Sequence, residues 1–407
     1  MPTPPALLTT PTDLAALADA VRRAGRLAID TEFVWERTYR PVLGVVQIAT
    51  DETSAVVDAV ALKDLSPLFA LLRDPAVPVV LHGGGQDLDI FATLMGAPVR
   101  GVADTQVMAA FLGYGLQMGL GALIERVVKV RLRKDQTYTD WVRRPLRPEQ
   151  VAYAREDVVH LLPLYDRLRT DLERRARLGW VEEELRELED VDRFAAVPDE
   201  ERYRNVKAWQ RLRGRELAVL RALAAWREQA ARRADVRPNF LANDIVLTTL
   251  AVRPAETMEE LRQVRGLSSG AVDRHGRAIV AAIRHGLDCP EAEWPAEPGR
   301  VRRKGPPPGL TALLRAAVQA VAEREDIAPE VIATGRDIDA IGVYAASPAD
   351  GAVLEGVPVV HGWRRRLVGD TLLAIARGEL AFRYDPARRE VVGEAVALPV
   401  KTVAPGR

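Results

Sequence analysis

Apolar and polar positions follow two different rhythms along this chain. The stretch Leu14–Arg23 repeats apolar residues at helical spacing and predicts a short amphipathic helix, with Thr12 and Asp13 as caps. Apolar runs at Leu27–Phe33, Val42–Thr50 and Ser54–Asp58 predict three strands. Helical Leu65–Arg73 precedes a β-rich run, Val77–His82, and after Gly83-Gly84-Gly85 the pattern is helical through Met95. Thr105–Leu112, Gly119–Val128 and Pro148–Leu168 predict further helices. Strands mixed with helices over roughly the first 170 residues predict one α/β domain, a sheet covered by helices.

Beyond that point strand signals almost vanish. Glu173–Asp192 is charged and helical, and Pro198–Arg204 is a polar break. From Val206 to Gly286 the period is helical, carried by Leu217, Leu220, Leu223 and Trp226, then Ile245, Leu247 and Leu250. The Pro/Gly-rich stretch from Cys289 to Gly309 predicts a linker. Leu310–Leu380 is helical again and predicts a divergent copy of the preceding module. Ala381–Glu394 alternates around Asp385-Pro386, as a hairpin would. The expected division is a catalytic-type α/β domain at 1–195, helical domains at 205–287 and 310–380, a linker at 288–309 and a tail at 381–407.

Composition narrows the class. The 57 basic residues cancel the 57 acidic ones, which excludes a polycationic coat protein while leaving room for a local basic groove. Cys289 is the only cysteine, so neither an intrachain disulfide nor a cysteine zinc cluster is available, and no disulfide-linked partner is expected. No apolar run approaches the roughly 18 residues of a membrane span, and the start lacks a basic n-region and a signal h-region. A cytoplasmic protein without membrane contact is expected. Arginine supplies most of the positive charge; phosphate recognition is one reading, and genomic base composition is the simpler one.

The chemistry lies in carboxylates. Asp30 and Glu32 stand two apart at a strand end, so alternation sends both to one face. There they repel and are costly to bury without a cation. Asp87 follows a strand and three glycines near a helix start, where an acid also complements the helix dipole. Tyr153 and Asp157 lie four apart on a helix opened by Pro148 and share a face, while Ala154, Val158 and Leu161 turn to the core. Oxygen ligands without thiols or paired histidines suit Mg²⁺ or Mn²⁺ better than zinc. Two such ions can clamp an in-line phosphoryl displacement, and a tyrosine one turn from a ligand can hold the water. This scheme requires the four distant acids to converge on folding.

The motifs Asp30-Thr31-Glu32-Phe33, Asp87 after its glycines, and Tyr153-x-x-x-Asp157 resemble the DEDDy family of 3′→5′ exonucleases. Asp104-Thr105-Gln106 and Thr139-Asp140-Trp141-Val142-Arg143-Arg144-Pro145-Leu146 sharpen the resemblance to its RNase D branch. Val206–Gly286 is similar to an HRDC domain through Ala225-Trp226-Arg227, Arg237-Pro238 and Val264-Arg265-Gly266-Leu267. Leu310–Leu380 resembles a degenerate second copy through Ile327-Ala328-Pro329 and Gly362-Trp363-Arg364. The resemblance implies an RNase H-like (DnaQ-like) α/β exonuclease domain followed by two all-α HRDC-type domains. It implies that Asp30 bridges two ions, that Glu32 and Asp157 bind the ion that activates water, and that Asp87 reaches the other. Tyr153 would orient the water, nucleoside 5′-monophosphates would leave, and the partner would be RNA, in 3′ maturation of tRNA precursors and other structured RNAs. A DNA-directed exonuclease and a non-catalytic nucleic-acid scaffold are the alternatives.

Several further residues carry two readings. Phe33 either stacks on the 3′-terminal base or packs in the core. His82 is either a hydrogen-bonded buried histidine or a substrate contact, and Gln86 beside Asp87 is a second candidate contact. Asp104 is an N-cap first and a substrate group second. Trp141 anchors the loop before the third motif or touches substrate. Lys134, Arg143 and Arg144 contact phosphates or are solvated. The Val264–Leu267 turn either offers amides to a phosphate or simply packs. Arg364-Arg365-Arg366 and Arg302-Arg303-Lys304 are the best basic clusters, though short charge runs are usually surface.

Overall fold

The computed structural model describes residues 7–132, 140–191, 197–297, 306–346, 351–387 and 390–396. Lys134, Thr139 and the Arg302-Arg303-Lys304 cluster lie outside the described residues.

The α/β region is built on a six-stranded sheet. Its strands are β1 (Leu7–Leu8), β2 (Leu27–Val34), β3 (Val42–Ala49), β4 (Ser54–Asp58), β5 (Val79–Leu81) and β6 (Val102–Asp104). They lie in the order β1-β4-β3-β2-β5-β6, with β2–β3 and β3–β4 antiparallel and the other pairs parallel. Alternation splits each strand between two cores. Leu27, Ile29, Val46, Ile48 and Val79 point to one face. There they meet α1 (Pro11–Ala24), α2 (Ser66–Leu72) and α3 (Gly85–Met95). The opposite face carries the small residues Ala28, Ala49 and Ala103. Over it lie α4 (Thr105–Ala110), α5 (Leu120–Val127), α6 (Pro148–Val159) and α7 (Leu161–Arg174).

Three local expectations change. Thr10, not Thr12 or Asp13, caps α1, accepting from the Asp13 amide at 3.2 Å while Pro11 takes the first helical position. The single helix expected over Pro148–Leu168 divides at His160. Pro163 supplies the reason, because it has no N–H to donate and its ring crowds the carbonyl of Val159 four residues back. Strands β1 and β6 are two and three residues long, too short for any periodicity to betray.

Residues Pro198–Arg204 are not a break. A 3₁₀ turn, Asp199–Asn205, buries Tyr203 in the core of the first helical unit, edge-on to Trp209. Helix α8 (Leu178–Glu187) precedes that unit and belongs to the α/β region, and the unit continues with α9 (Gly214–Ala234), α10 (Pro238–Leu241), α11 (Asp244–Val252), α12 (Met258–Arg262) and α13 (Ser269–Leu287). The described part of the expected linker is fastened to it. Trp294 donates to the Cys289 carbonyl at 3.0 Å and lies under Gly214, whose φ of +46° and missing Cβ admit the ring.

The second helical unit is α14 (Pro308–Glu325), α15 (Pro329–Ile332), α16 (Gly335–Ala346), α17 (Gly362–Arg364) and α18 (Asp370–Ala376). It repeats the layout of the first. Asp235 and Asp326 both end a long helix in the left-handed region, and Pro238 and Pro329 open the next short helix at the same spacing. Asp tolerates that conformation better than most residues. A final hairpin, β7 (Leu380–Asp385) and β8 (Glu390–Ala395), is antiparallel.

The two units attach to the α/β region in different ways. The second shares its core: Trp363 is wholly buried, stacked on Trp180 at 5.3 Å and edge-on to Phe111 at 5.0 Å. Its indole donates to Glu184 at 2.8 Å, and Arg364 pairs with the same carboxylate. Arg365 pairs with Asp370 and Arg366 with Glu183, so the Arg364-Arg365-Arg366 cluster is neutralised rather than a free basic patch. The first unit meets the α/β region across a polar seam. Tyr39 donates its hydroxyl to Glu228 at 2.9 Å and its amide to Asp235 at 3.1 Å, and Arg237 lies over the Trp35 ring at 5.3 Å. Among the described residues no helix is long and apolar enough to cross a membrane.

Candidate active site

Three elements deliver the acidic residues to one place. Asp30 and Glu32 leave β2 on the face covered by α6, which carries Tyr153 and Asp157. The interior of α6 is held by Ala154, Val158 and, past the break, Leu161, all at or below 1% exposure, so its polar side is fixed toward the sheet end. Asp87 sits in the first turn of α3. The preceding loop is tied down by Asp104, which caps α4 at the Gln106 amide and also accepts from Gly83 (2.8 Å) and Gly84 (3.2 Å). The N-cap reading of Asp104 therefore holds.

The acids act on one another through charge. Asp30 is raised well above the carboxylate range, by burial first and then by Asp87, Asp157 and Glu32. Burial and the charges of Asp157 and Asp87 push Glu32 up to about 7. Burial and Glu156 push Asp157 up to about 7, against a hydrogen bond from Tyr153. Asp87 is also raised, chiefly by burial, although Thr31 donates its hydroxyl to it. Burial and the neighbouring carboxylates hold the Tyr153 phenol above its ordinary range, so it keeps its proton at neutral pH.

Charge coupling is not yet a cage. Among the described residues, no group of three or more His, Cys, Asp or Glu side chains is arranged to hold a metal ion. Convergence on shared ions, which the sequence scheme required, is therefore not formed by the side chains as they stand. One oxygen of Asp87 is committed to Thr31, and Asp157 accepts from Tyr153. The chemistry of the donor set nevertheless fits a hard divalent cation: four oxygen donors, mutually repelling, with no thiol among them.

The raised acids give a signed prediction. A carboxyl whose folded pKa exceeds its unfolded value favours folding below about pH 4 and loses that contribution as pH climbs through the folded value. Compared with Glu32→Gln/Asp157→Asn in metal-free buffer, wild type should fall progressively behind in melting temperature as pH rises from about 4 to about 7. A gap that does not change with pH would contradict this account.

The remaining candidates divide. Beside Glu32 opens a cavity of about 620 Å³ lined by Phe33, Trp35, Arg37, Asp140, Trp141 and Val142. Half-buried Phe33 packs partly on the sheet core and also faces this cavity, so both of its readings survive. Trp141 is 3% exposed, with its ring tilted on Tyr153 at 6.3 Å. Buried in this way, it anchors the loop before the third motif rather than offering a free ring face to substrate. Arg144 is not a phosphate contact either. It straps this segment down, pairing with buried Asp58 at 2.6 and 2.7 Å and donating to the carbonyls of Trp141 and Gly44. Gly44 has to be glycine, since a Cβ there would stand 2.6 Å from the Trp141 oxygen.

His82 has both ring nitrogens engaged, Nδ1 with Thr105 and Nε2 with the Met118 carbonyl, each at 2.9 Å, and burial lowers its pKa. That is the structural reading, and it leaves no ring nitrogen for substrate. Gln86, beside Asp87, and Arg143 are both exposed. Gly266 takes a φ of +98°, in the left-handed region that favours glycine, and a Cβ there would stand 3.0 Å from Val246. Sequence reasoning missed Thr31, whose alternation points it away from Asp30, and the Arg144–Asp58 strap, whose partners are 86 residues apart.

Comparison with known proteins agrees with this architecture. A family model described as a 3′-5′ exonuclease matches residues 5–173, and the HRDC domain model matches residues 216–283. The chain is 38% identical to ribonuclease D of Granulibacter bethesdensis over 94% of this chain and 95% of that protein. Against ribonuclease D of Escherichia coli the identity is 33%, covering 90% of this chain and 96% of the other. The crystal structure of E. coli RNase D, described as an exoribonuclease involved in structured RNA processing, superposes with a TM-score of 0.81 at 31% identity, covering 91% and 98% of the two chains. With likeness running through both the catalytic-type sheet and the helical units, the chain belongs to the ribonuclease D family of 3′→5′ exoribonucleases.

Proposed function

We propose that the chain removes nucleotides from RNA 3′ ends by a two-metal-ion hydrolysis, in the maturation of tRNA precursors and other structured RNAs in the cytoplasm. The observation that carries this is the charge-coupled set Asp30, Glu32, Asp87 and Asp157, drawn from three elements, with Tyr153 hydrogen-bonded to Asp157. Two Mg²⁺ or Mn²⁺ ions would supply charge stabilisation of the attacking and leaving oxygens. Asp30, Glu32, Asp87 and Asp157 would hold them, after side-chain rotations that free Asp87 from Thr31. Tyr153, kept protonated, orients the nucleophilic water and does not act as a base.

Trp35 lines both the cavity beside Glu32 and a larger one of about 1100 Å³ at the seam with the first helical unit. A single strand leaving the catalytic mouth would run along this wall toward the HRDC unit, where stacking tolerates any sequence. We take residues 1–195 as the exonuclease domain and 205–287 and 310–380 as two HRDC-type domains. The repeated Asp235/Pro238 and Asp326/Pro329 layout supports the second assignment.

A 3′-tailed tRNA incubated with Mg²⁺ or Mn²⁺ and resolved to single nucleotides tests the proposal. Stepwise loss of 3′ nucleotides is expected, with release of nucleoside 5′-monophosphates. Faster loss from a matched DNA strand would overturn the choice of RNA. Affinity for the RNA should fall as salt rises, because phosphate contacts release counterions; a flat response would argue against a phosphate-dominated grip.

A further inference from the structure

One buried side chain on the catalytic face has no structural work to do. Gln47 lies in β3 with 0% exposure, and neither its Oε1 nor its Nε2 has a hydrogen-bond partner. Among the described residues no other buried side chain leaves both of its polar atoms unpartnered. An amide in that condition costs about 1–3 kcal/mol per unsatisfied group, so an apolar residue would serve the fold better.

Its surroundings show what it faces. Across the antiparallel pair Gln47 stands directly opposite Asp30, and on its other side opposite Val56. Directly opposed residues put their side chains on the same face, with Cβ atoms about 5 Å apart. Along β3 its same-face neighbours are Val45 and Ala49, and the covering helix α6 contributes Val151, Ala154 and Val158 to the packing around them. Ser54 and Asp58 on β4 are already bonded to Arg155 and Arg144. On this face that leaves the acids of β2 and α6 with Tyr153, and Asp30 is the one paired to Gln47 by register.

We propose that Gln47 is a positioning residue for the metal site: when the divalent ions bind, its free side-chain amide turns to donate to the Asp30 carboxylate and holds that carboxylate in the orientation that binds them. Nε2 offers two donors and Asp30, when ionised, only acceptors, so the pair is complementary. The inference rests on Asp30 being a metal ligand, as proposed above.

The test uses the full chain with Gln47→Met, close to the original in shape, and Gln47→Leu as a second apolar variant. Three measurements are made: melting temperature in metal-free buffer, Mn²⁺ binding followed by electron paramagnetic resonance, and the Mn²⁺ concentration that half-saturates trimming of a 3′-tailed RNA. Loss of an outer-shell partner typically weakens metal affinity by about 10–100-fold. Both variants should therefore bind Mn²⁺ at least about tenfold more weakly, while melting at or above the wild-type temperature without metal. Unchanged Mn²⁺ binding in either variant would overturn the proposal. So would a metal-free melting temperature below wild type, since it would show that the amide serves the fold. If wild type itself trims no RNA with either metal, the parent reading fails instead, and the Mn²⁺ binding comparison still decides the role of Gln47.

Discussion

Asp30→Asn should abolish 3′ trimming while leaving the protein folded. The substitution keeps the shape of the side chain and removes the charge that burial, Asp87, Asp157 and Glu32 all oppose. Metal-assisted stabilisation of a phosphoryl transition state amounts to several kcal/mol, and each 1.36 kcal/mol is tenfold in rate, so a loss of roughly 10³-fold or more is expected. Without metal the variant should melt at or above wild type, because a repelling carboxylate has been taken away. Asp30→Ala should behave alike in activity. Retained trimming at single-nucleotide resolution in either variant would remove Asp30 from the catalytic set and return the chain to the scaffold reading.

The largest stability effect is expected far from the carboxylates. Trp363→Ala removes a wholly buried indole that stacks on Trp180, meets Phe111 edge-on and donates to Glu184. Truncating a buried tryptophan costs about 3–5 kcal/mol, and here Glu184 also loses a donor while its pair with Arg364 depends on the same packing. Thermal unfolding should shift down accordingly. Because the side chain belongs to a core shared by α8 and the second helical unit, near-ultraviolet signals from both should be lost together. Separate transitions, with the α/β region unaffected, would show that the shared core is not cooperative.

Much of this was legible in the residues. The alternation in Leu27–Phe33 and the period of Pro148–Leu168 placed Asp30, Glu32, Tyr153 and Asp157 on one sheet face and one helix, because side-chain direction follows directly from the backbone period. What escaped has physical reasons as well. A two-residue strand has no period, and Pro163 ends one helix from inside an apolar pattern that continues across it. The Arg144–Asp58 strap and the Trp363–Glu184 bond join residues 86 and 179 apart, and nothing local in a polar side chain names so distant a partner. Gln47 sits in a run, Val42–Ala49, that reads as uniformly buried strand; only the register with Asp30 gives its amide a meaning. The arginine triplet at 364–366 misled for the converse reason, since composition shows charge and conceals its neutralisation.

The seam formed by Trp35 and Tyr39 has a mechanical consequence. Both residues belong to the segment that follows the end of β2 at Val34, two residues past Glu32, and both are gripped by the far end of α9 and the turn beyond it. That segment therefore ties the end of the strand that carries Glu32 to the first helical unit. A displacement of that unit would be carried along two side chains to the strand end beside Glu32.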